Sequence, residues 1–260
     1  MDTSAFTNLD GLPYSTGSAL AQSAVALGRL DGVAGIATPG LRRLLQLRCA
    51  VIPFGRGPDG MIAILRADRE GDGDLVTFDQ TLGGVTAAGT PVGLLGALLA
   101  ARERMRDGAP VRDASLGFTR QLWADGILGG PWLALPFDDT TAADPFGDAS
   151  AWLDAACAAV EREASAALHG LARARERLAG DEAKVRALGR AAYSALDLFH
   201  LLADRLIVSI AEASVALEQT VPTAGAAMQR LVALGAAREV TGRSRDRRFA
   251  YRALVNGMAP

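Results

Sequence analysis

The last fifty residues carry an ordered series of helix and turn signals that few folds can accommodate. Ser209 followed three residues later by Glu212 is a capping box, in which the hydroxyl and the carboxylate satisfy each other's backbone amides at a helix start. Thr220 can cap a second helix, which accepts Pro222 in its first turn and which Gly235 ends. Two strand-like runs follow, at residues 236–240 and 249–254. This order predicts a winged helix-turn-helix over residues 181–260, with a small β-hairpin wing.

The turn between the two strand-like runs is strongly basic. It contains four arginines that we expect at an exposed tip: Arg243, Arg245, Arg247 and Arg248. Residues 223–260 hold seven arginines against two acids, a net charge of +5, which leaves −7 for the rest of a chain whose total is −2. Arginines on a protruding hairpin meet phosphates, and a helix fits the major groove of DNA. The charge distribution therefore predicts binding to double-stranded DNA.

The second helix of this motif is the predicted recognition helix. Its exposed side is small and weakly polar, and three of its residues carry side chains able to reach base edges: Thr223, Gln229 and Arg230. Base edges carry sequence information and phosphates do not. We therefore expect specificity from this helix and much of the affinity from the wing. The alternative is protein docking, because winged helices also serve as docking and dimerisation modules.

Composition narrows the class of protein further. Half of the 260 residues are hydrophobic, which excludes wholesale disorder. No apolar run approaches the roughly 20 residues that cross a bilayer, and residues 1–4 lack the basic region of a signal peptide. These features predict a cytoplasmic protein without membrane contact. The arginine-rich, alanine-rich chain has a single lysine, Lys184, which is typical of a GC-rich bacterial genome.

Helical periodicity dominates the rest of the chain and predicts a mainly α fold. Residues 18–125 are expected to form an N-terminal helical domain, with a short hairpin or a helix-to-strand corner at the turn signal of residues 58–60. Prolines and glycines predict an irregular linker over residues 126–147. A connecting helix over residues 148–180 then carries a narrow apolar seam, formed by Leu153, Cys157, Val160, Ala164, Leu168 and Leu171. A seam of this kind packs either within the chain or against its copy in a second molecule, and we expect the second arrangement, a homodimer.

Two further motifs concern nucleotide and metal chemistry. Residues 55–60 have the glycine spacing of a dinucleotide loop, but Pro58 and Asp59 stand where backbone amides would face a pyrophosphate. Residues 68–79 match a twelve-residue calcium loop through five acids: Asp68, Glu70, Asp72, Asp74 and Asp79. Asp79 replaces the usual bidentate glutamate and a glycine-rich segment follows, which favours a solvated acidic loop. We expect no resident cofactor or metal.

A family resemblance covers roughly half of the chain. It begins at Asp148, continues through the long helix, and includes residues 221–224, 230–235, 238–243 and 249–251. These segments resemble the C-terminal helical and winged-helix part of Fic-family proteins, and are similar to Fic-like helix-turn-helix proteins found in rhizobia. Residues 26–32 resemble the leading helix of the same family.

The resemblance does not extend to the catalytic motif of that family. Fic enzymes require a His-Pro-Phe motif, whose histidine activates a hydroxyl, and a glycine-rich turn with an arginine that hold nucleotide phosphates. Here Leu135 replaces the histidine before Pro136 and Phe137, and His169 and His200 have no neighbouring nucleophile or phosphate loop. We therefore expect a DNA-binding transcriptional regulator rather than an enzyme. The alternative is a non-catalytic Fic-like scaffold or antitoxin-type protein that docks other proteins.

Overall fold

The computed structural model describes residues 13–51, 57–70, 93–134, 144–189, 192–243 and 245–258. Within these ranges seven helices precede the first strand: α1 (Tyr14–Gly35), α2 (Pro39–Val51), α3 (Pro58–Glu70), α4 (Gly93–Arg106), α5 (Val111–Ala124), α6 (Ala149–Arg186) and α7 (Ala192–Arg205). The remaining elements are β1 (Ile207–Ser209), α8 (Ile210–Ala216), α9 (Val221–Ala233), β2 (Arg238–Glu239), β3 (Arg248–Ala250) and α10 (Arg252–Met258). The mainly α fold with a small β wing is therefore confirmed.

The chain forms two compact units. The first comprises residues 1–37, 45–56 and 76–168, and the second comprises residues 38–44, 57–75 and 169–260. The division falls within α6, between Leu168 and His169, and not in the irregular segment where the predicted linker lay. No helix in the described part of the chain has the length and apolarity that crossing a bilayer requires. The cytoplasmic location stays a prediction.

The first part of the predicted linker belongs to the core of the first unit. Leu128, Leu133 and Ala134 are fully buried. The carboxylate of Asp31 on α1 accepts hydrogen bonds from the backbone amide of Gly129, at 2.6 Å, and from the indole of Trp132, at 3.0 Å. The prolines and glycines predict the irregular backbone correctly, but they do not predict its burial. An irregular segment can be buried in a core when its backbone polar groups have hydrogen-bond partners.

The apolar seam of α6 is buried by the chain itself. Val160 and Ala164 are fully buried, as is Leu171 beyond the division between the units, and Leu168 is half-buried. On the N-terminal side of the seam, the hydroxyl of Ser23 on α1 donates a hydrogen bond to the carbonyl of Cys157, at 3.0 Å. The seam therefore does not supply the predicted dimer interface, because its side chains already have partners within one molecule. The helix also continues to Arg186, six residues beyond the predicted end at residue 180.

The predicted hairpin at residues 58–60 is wrong. Pro58 begins α3, where its missing amide hydrogen costs nothing because the first turn of a helix leaves its amides unpaired. Met61 and Leu65 are buried, and α3 packs against α10, where Arg252 pairs with Asp59. The same residues that signal a turn also signal a helix start, and packing within the second unit decides between them.

The calcium-loop prediction lies mostly outside the described residues. The backbone of Asp68 and Glu70 forms the last turn of α3, and Asp72, Asp74 and Asp79 fall in the range that the structure does not describe. The Leu135–Phe137 motif that resembles the Fic opening also lies outside the described residues. Both remain predictions.

Candidate nucleic-acid interface

The C-terminal elements form a winged helix-turn-helix. The three strands pair antiparallel in the order β1-β3-β2, with Ile207 opposite Ala250 and Glu239 opposite Phe249. Helices α8 and α9 lie in the sequence between β1 and β2, and the loop from β2 to β3 is the wing. Both predicted strands are shorter than expected: the one over residues 236–240 is β2 (Arg238–Glu239), and the one over residues 249–254 begins at Arg248 and ends at Ala250, where α10 follows.

Local capping signals set the helix-turn-helix. The Ser209 hydroxyl accepts a hydrogen bond from the Glu212 amide, at 3.1 Å, and the Glu212 carboxylate accepts from the Ser209 amide, at 2.7 Å. Thr220 caps α9 through its hydroxyl, and Gly235 follows the helix with φ +73°, a conformation that suits glycine. The predicted capping box, second cap and glycine stop are all confirmed.

Helix α9 buries one face and exposes the other. The buried face consists of Ala224, Ala227, Met228 and Leu231. Thr223 and Gln229, both predicted to face bases, are exposed, whereas Arg230 is half-buried. The Thr223 hydroxyl lies 2.8 Å from the Thr220 hydroxyl, so the helix cap already uses part of its hydrogen-bonding capacity. Thr223 and Gln229 are thus both accessible, and the Thr223 hydroxyl is already engaged in the helix cap.

The wing presents its arginines to solvent on a loop that is closed at its base by Glu239. Arg243, Arg245 and Arg247 are exposed, and the Arg247 guanidinium lies 5.8 Å from the ring centroid of Phe249. A guanidinium beside an aromatic ring gains a cation–π attraction that restrains it. The wing therefore places positive charge in solvent as predicted.

A single carboxylate oxygen of Glu239 organises the start of the wing loop. It accepts hydrogen bonds from the backbone amides of Thr241, at 2.7 Å, and Gly242, at 2.9 Å, and from the Thr241 hydroxyl. The Thr241 hydroxyl in turn accepts from the Arg248 amide on the opposite strand, at 3.2 Å. These bonds, the Thr241 hydroxyl first among them, hold the pKa of Glu239 below its usual value. Sequence analysis missed this residue, although an acid two residues before a threonine at a hairpin base is a recognisable signal.

Arg248 differs from the three exposed wing arginines. It lies in β3, its side chain is 16 % exposed, and its guanidinium is 3.2 Å from the Glu212 carboxylate. Burial alone would raise the pKa of Glu212, but the Ser209 amide and Arg248 outweigh it and hold that pKa low. Arg248 therefore links the sheet to the start of α8 and does not lie at the exposed wing tip where we expected it. Its role as a phosphate contact stays a prediction.

A buried carboxylate fastens the end of the sheet to α6 within the second unit. Asp181 is fully buried and accepts hydrogen bonds from Arg177, at 2.7 Å, from Lys184, at 2.6 Å, and from the Tyr251 hydroxyl, at 2.8 Å. Burial would raise the pKa of Asp181, but these three donors together lower it. The Phe199 ring packs edge-on against Tyr251 with centroids 5.6 Å apart. The cluster gives the winged helix a fixed base.

The two histidines and the acids form no recognisable reactive centre among the described residues. His169 and His200 are exposed on helices, and the His200 ring nitrogen Nε2 lies 3.4 Å from the Glu182 carboxylate. No group of three or more histidine, cysteine or acidic side chains able to hold a metal occurs in the described ranges.

No protein-family model matches the chain, and no curated protein matches it. The Fic resemblance therefore remains a prediction.

Proposed function

We propose that this chain is a DNA-binding transcriptional regulator that uses its C-terminal winged helix. The observation that carries the proposal is the exposure of Arg243, Arg245 and Arg247 on a wing loop that Glu239 braces. A guanidinium offers two parallel N–H donors to a phosphate and stays charged at every physiological pH. In this reading the wing holds the phosphate backbone while α9 enters the major groove, where Thr223, Gln229 and Arg230 face bases.

A homodimer is part of the proposal, on a surface other than the buried seam of α6. Helix α9 offers few polar groups, and helix-turn-helix regulators gain affinity by placing two modules on one duplex. Half-sites would then be spaced by about 34–36 Å, one turn of the duplex, or a multiple of that distance. Light scattering with and without a two-site duplex measures the stoichiometry directly.

The test of the proposal is a salt titration of binding to a labelled duplex. Each phosphate contact releases condensed counterions, so the logarithm of the binding constant falls by about 0.9 per contact for each tenfold rise in salt. Contacts from the three exposed wing arginines predict a slope of about −2.7 for each bound winged helix between about 50 and about 200 mM salt. Absence of binding to any duplex at low salt, the native promoter region included, would overturn the proposal.

Protein docking is the second candidate, and a specific observation favours it. The helix-turn-helix exposes three valines, Val215 at 79 %, Val221 at 57 % and Val232 at 36 %. Exposed apolar side chains of this size are typical of protein contacts when they form one patch. A partner protein held by these valines would bind with little salt dependence, so the same titration separates the two candidates. A non-catalytic Fic-like scaffold or an antitoxin-type protein would belong to this class.

Substitution of the two acidic residues of the wing is expected to change the affinity for DNA in opposite directions. Asp246→Asn removes one negative charge from the wing, and asparagine tolerates the left-handed φ of +51° at that position. We expect it to raise affinity for DNA about twofold, because a repulsive charge near phosphates is lost. Glu239→Ala removes the same charge but also the acceptor that closes the loop. We expect it to lower affinity roughly fivefold.

Fluorescence anisotropy with one duplex at one salt concentration measures both variants. If the wing acts only through its net charge, both substitutions strengthen binding. A rise for Asp246→Asn together with a fall for Glu239→Ala shows that the wing must also be held in shape. Asp246 is exposed and Glu239 is half-buried in the wing, outside every helix, so circular dichroism should show native helix content in each variant.

A further inference from the structure

The exposed face of α9 has a chemical character of its own. Four residues recur at intervals of four, three and four along its centre: Pro222, Ala226, Gln229 and Ala233. They lie opposite the buried face of the same helix, so they are the side chains that would point most directly into a groove. Gln229 is the only one of these four with a side chain that can form hydrogen bonds. The centre of the face is therefore one amide surrounded by small apolar groups.

The two flanks of this face differ, because one carries a hydroxyl and a guanidinium and the other is apolar. Thr223 and Arg230 lie on one flank, where the threonine hydroxyl is engaged with Thr220 and the arginine is half-buried. Gly225 and Val232 lie on the other flank, which is apolar. Donors suited to guanine and acids suited to cytosine are both missing from the central line.

The four base pairs differ in what they offer to such a surface. Adenine presents an N7 acceptor and an N6 amino donor in the major groove, and a glutamine amide can match both at once. Thymine alone carries a C5 methyl group, which makes apolar contacts with alanine-sized side chains. Guanine is read best by arginine or lysine, and cytosine by a carboxylate. A glutamine between alanines is thus matched to adenine and thymine.

We propose that α9 reads A·T pairs, with Gln229 bound to an adenine and with Ala226 and Ala233 against the methyl groups of neighbouring thymines. This inference rests on the proposed function and names its ligand as duplex DNA with an A·T core. Gln229 is its specificity-determining residue. The wing arginines supply affinity that does not depend on sequence, so the two contributions can be measured separately.

The experiment selects bound duplexes from a random pool with the full chain, and then repeats the selection with two variants. We expect the native protein to enrich A·T pairs at a fixed position, where replacement by G·C weakens binding roughly tenfold to a hundredfold. Replacing that adenine by 7-deazaadenine, which lacks the N7 acceptor, or the neighbouring thymines by deoxyuridine, which lacks the methyl, should weaken binding as well. Gln229→Ala should lose the preference at that position, and its affinity for the enriched duplex should fall towards its affinity for random duplex.

Gln229→Glu provides a readout that loss of structure would not produce. A carboxylate only accepts hydrogen bonds, so the preferred base should change from adenine to cytosine, whose N4 amino group donates. Equal binding of all duplexes, enrichment of G·C at the position that Gln229 reads, or an unchanged preference in Gln229→Ala would overturn the inference and leave DNA binding intact. Failure of every duplex to bind at low salt would instead overturn the proposed function itself.

Discussion

Replacing Val160 by lysine is expected to unfold the first unit of the protein. Val160 is 0 % exposed on α6, so the substitution places a charged amine where water does not reach. An unpaired buried charge destabilises a protein by about 3–5 kcal/mol, and a typical domain has only about 5–15 kcal/mol of stability in total. The urea midpoint followed by circular dichroism should fall sharply, and the variant should lose helix content near physiological temperature.

Ala158→Lys is the matched control for this experiment. It adds the same charge to the same helix two residues away, but Ala158 is exposed. Its free energy of unfolding should stay within about 0.5 kcal/mol of the native value. If Val160→Lys instead stays folded while light scattering shows that a native dimer has become a monomer, then Val160 contacts a second molecule, and its burial within one chain is not the whole account.

The paired substitution of Arg245 and Arg247 by alanine is expected to have the largest effect on binding. Both side chains are exposed in the wing, and hydrogen bonds to charged groups contribute more than neutral ones. We expect a loss of about 2–3 kcal/mol at low salt, or roughly 30- to 150-fold in affinity, on every duplex alike. The salt slope should also become shallower by about 1.8 for each bound winged helix, because each one loses two phosphate contacts.

Two controls separate position from charge. Arg29→Ala with Arg175→Ala removes two exposed arginines from α1 and α6, outside the winged helix, and should change neither affinity nor slope appreciably. Arg245→Lys with Arg247→Lys keeps both charges in the wing and should keep most of the slope while losing the two-pronged geometry of the guanidinium. A loss confined to one duplex sequence would mean that the wing reads bases and does not only hold phosphates.

The parts of the fold that sequence reasoning predicts are those governed by neighbours in the chain. Ser209 and Glu212 are three residues apart, and Thr220 caps an amide three residues later, so the signal and its partner lie in one short window. The turn signal at Pro58 fails because it is ambiguous within such a window. In the structure the segment is helical and packs against α10, which lies nearly two hundred residues further along the chain and outside any local window.

The same distinction between local signals and long-range contacts applies to the candidate site. Exposure of Arg243, Arg245 and Arg247 follows from a basic run between two strand-like segments, which is a local pattern. The different position of Arg248 could not be predicted, because it depends on the register that sets Ser209 opposite Arg248 and brings Glu212 within reach. Burial of the α6 seam was equally inaccessible, since an apolar stripe does not specify which molecule will cover it.

The pairing of Lys184 with Asp181 has a practical consequence for chemical labelling. Lys184 is the only lysine in the chain. Its amine donates a hydrogen bond to the Asp181 carboxylate, which also accepts one from the Tyr251 hydroxyl. The wing contains no amine side chain, so an amine-directed fluorophore would leave every arginine of the wing unmodified. Reaction at Lys184 would remove one of the three donors to Asp181 and report on how firmly the base of the winged helix is held. Because the Lys184 side chain is 53 % exposed, the reagent can reach the amine in the folded protein, and the modification itself tests the pairing with Asp181.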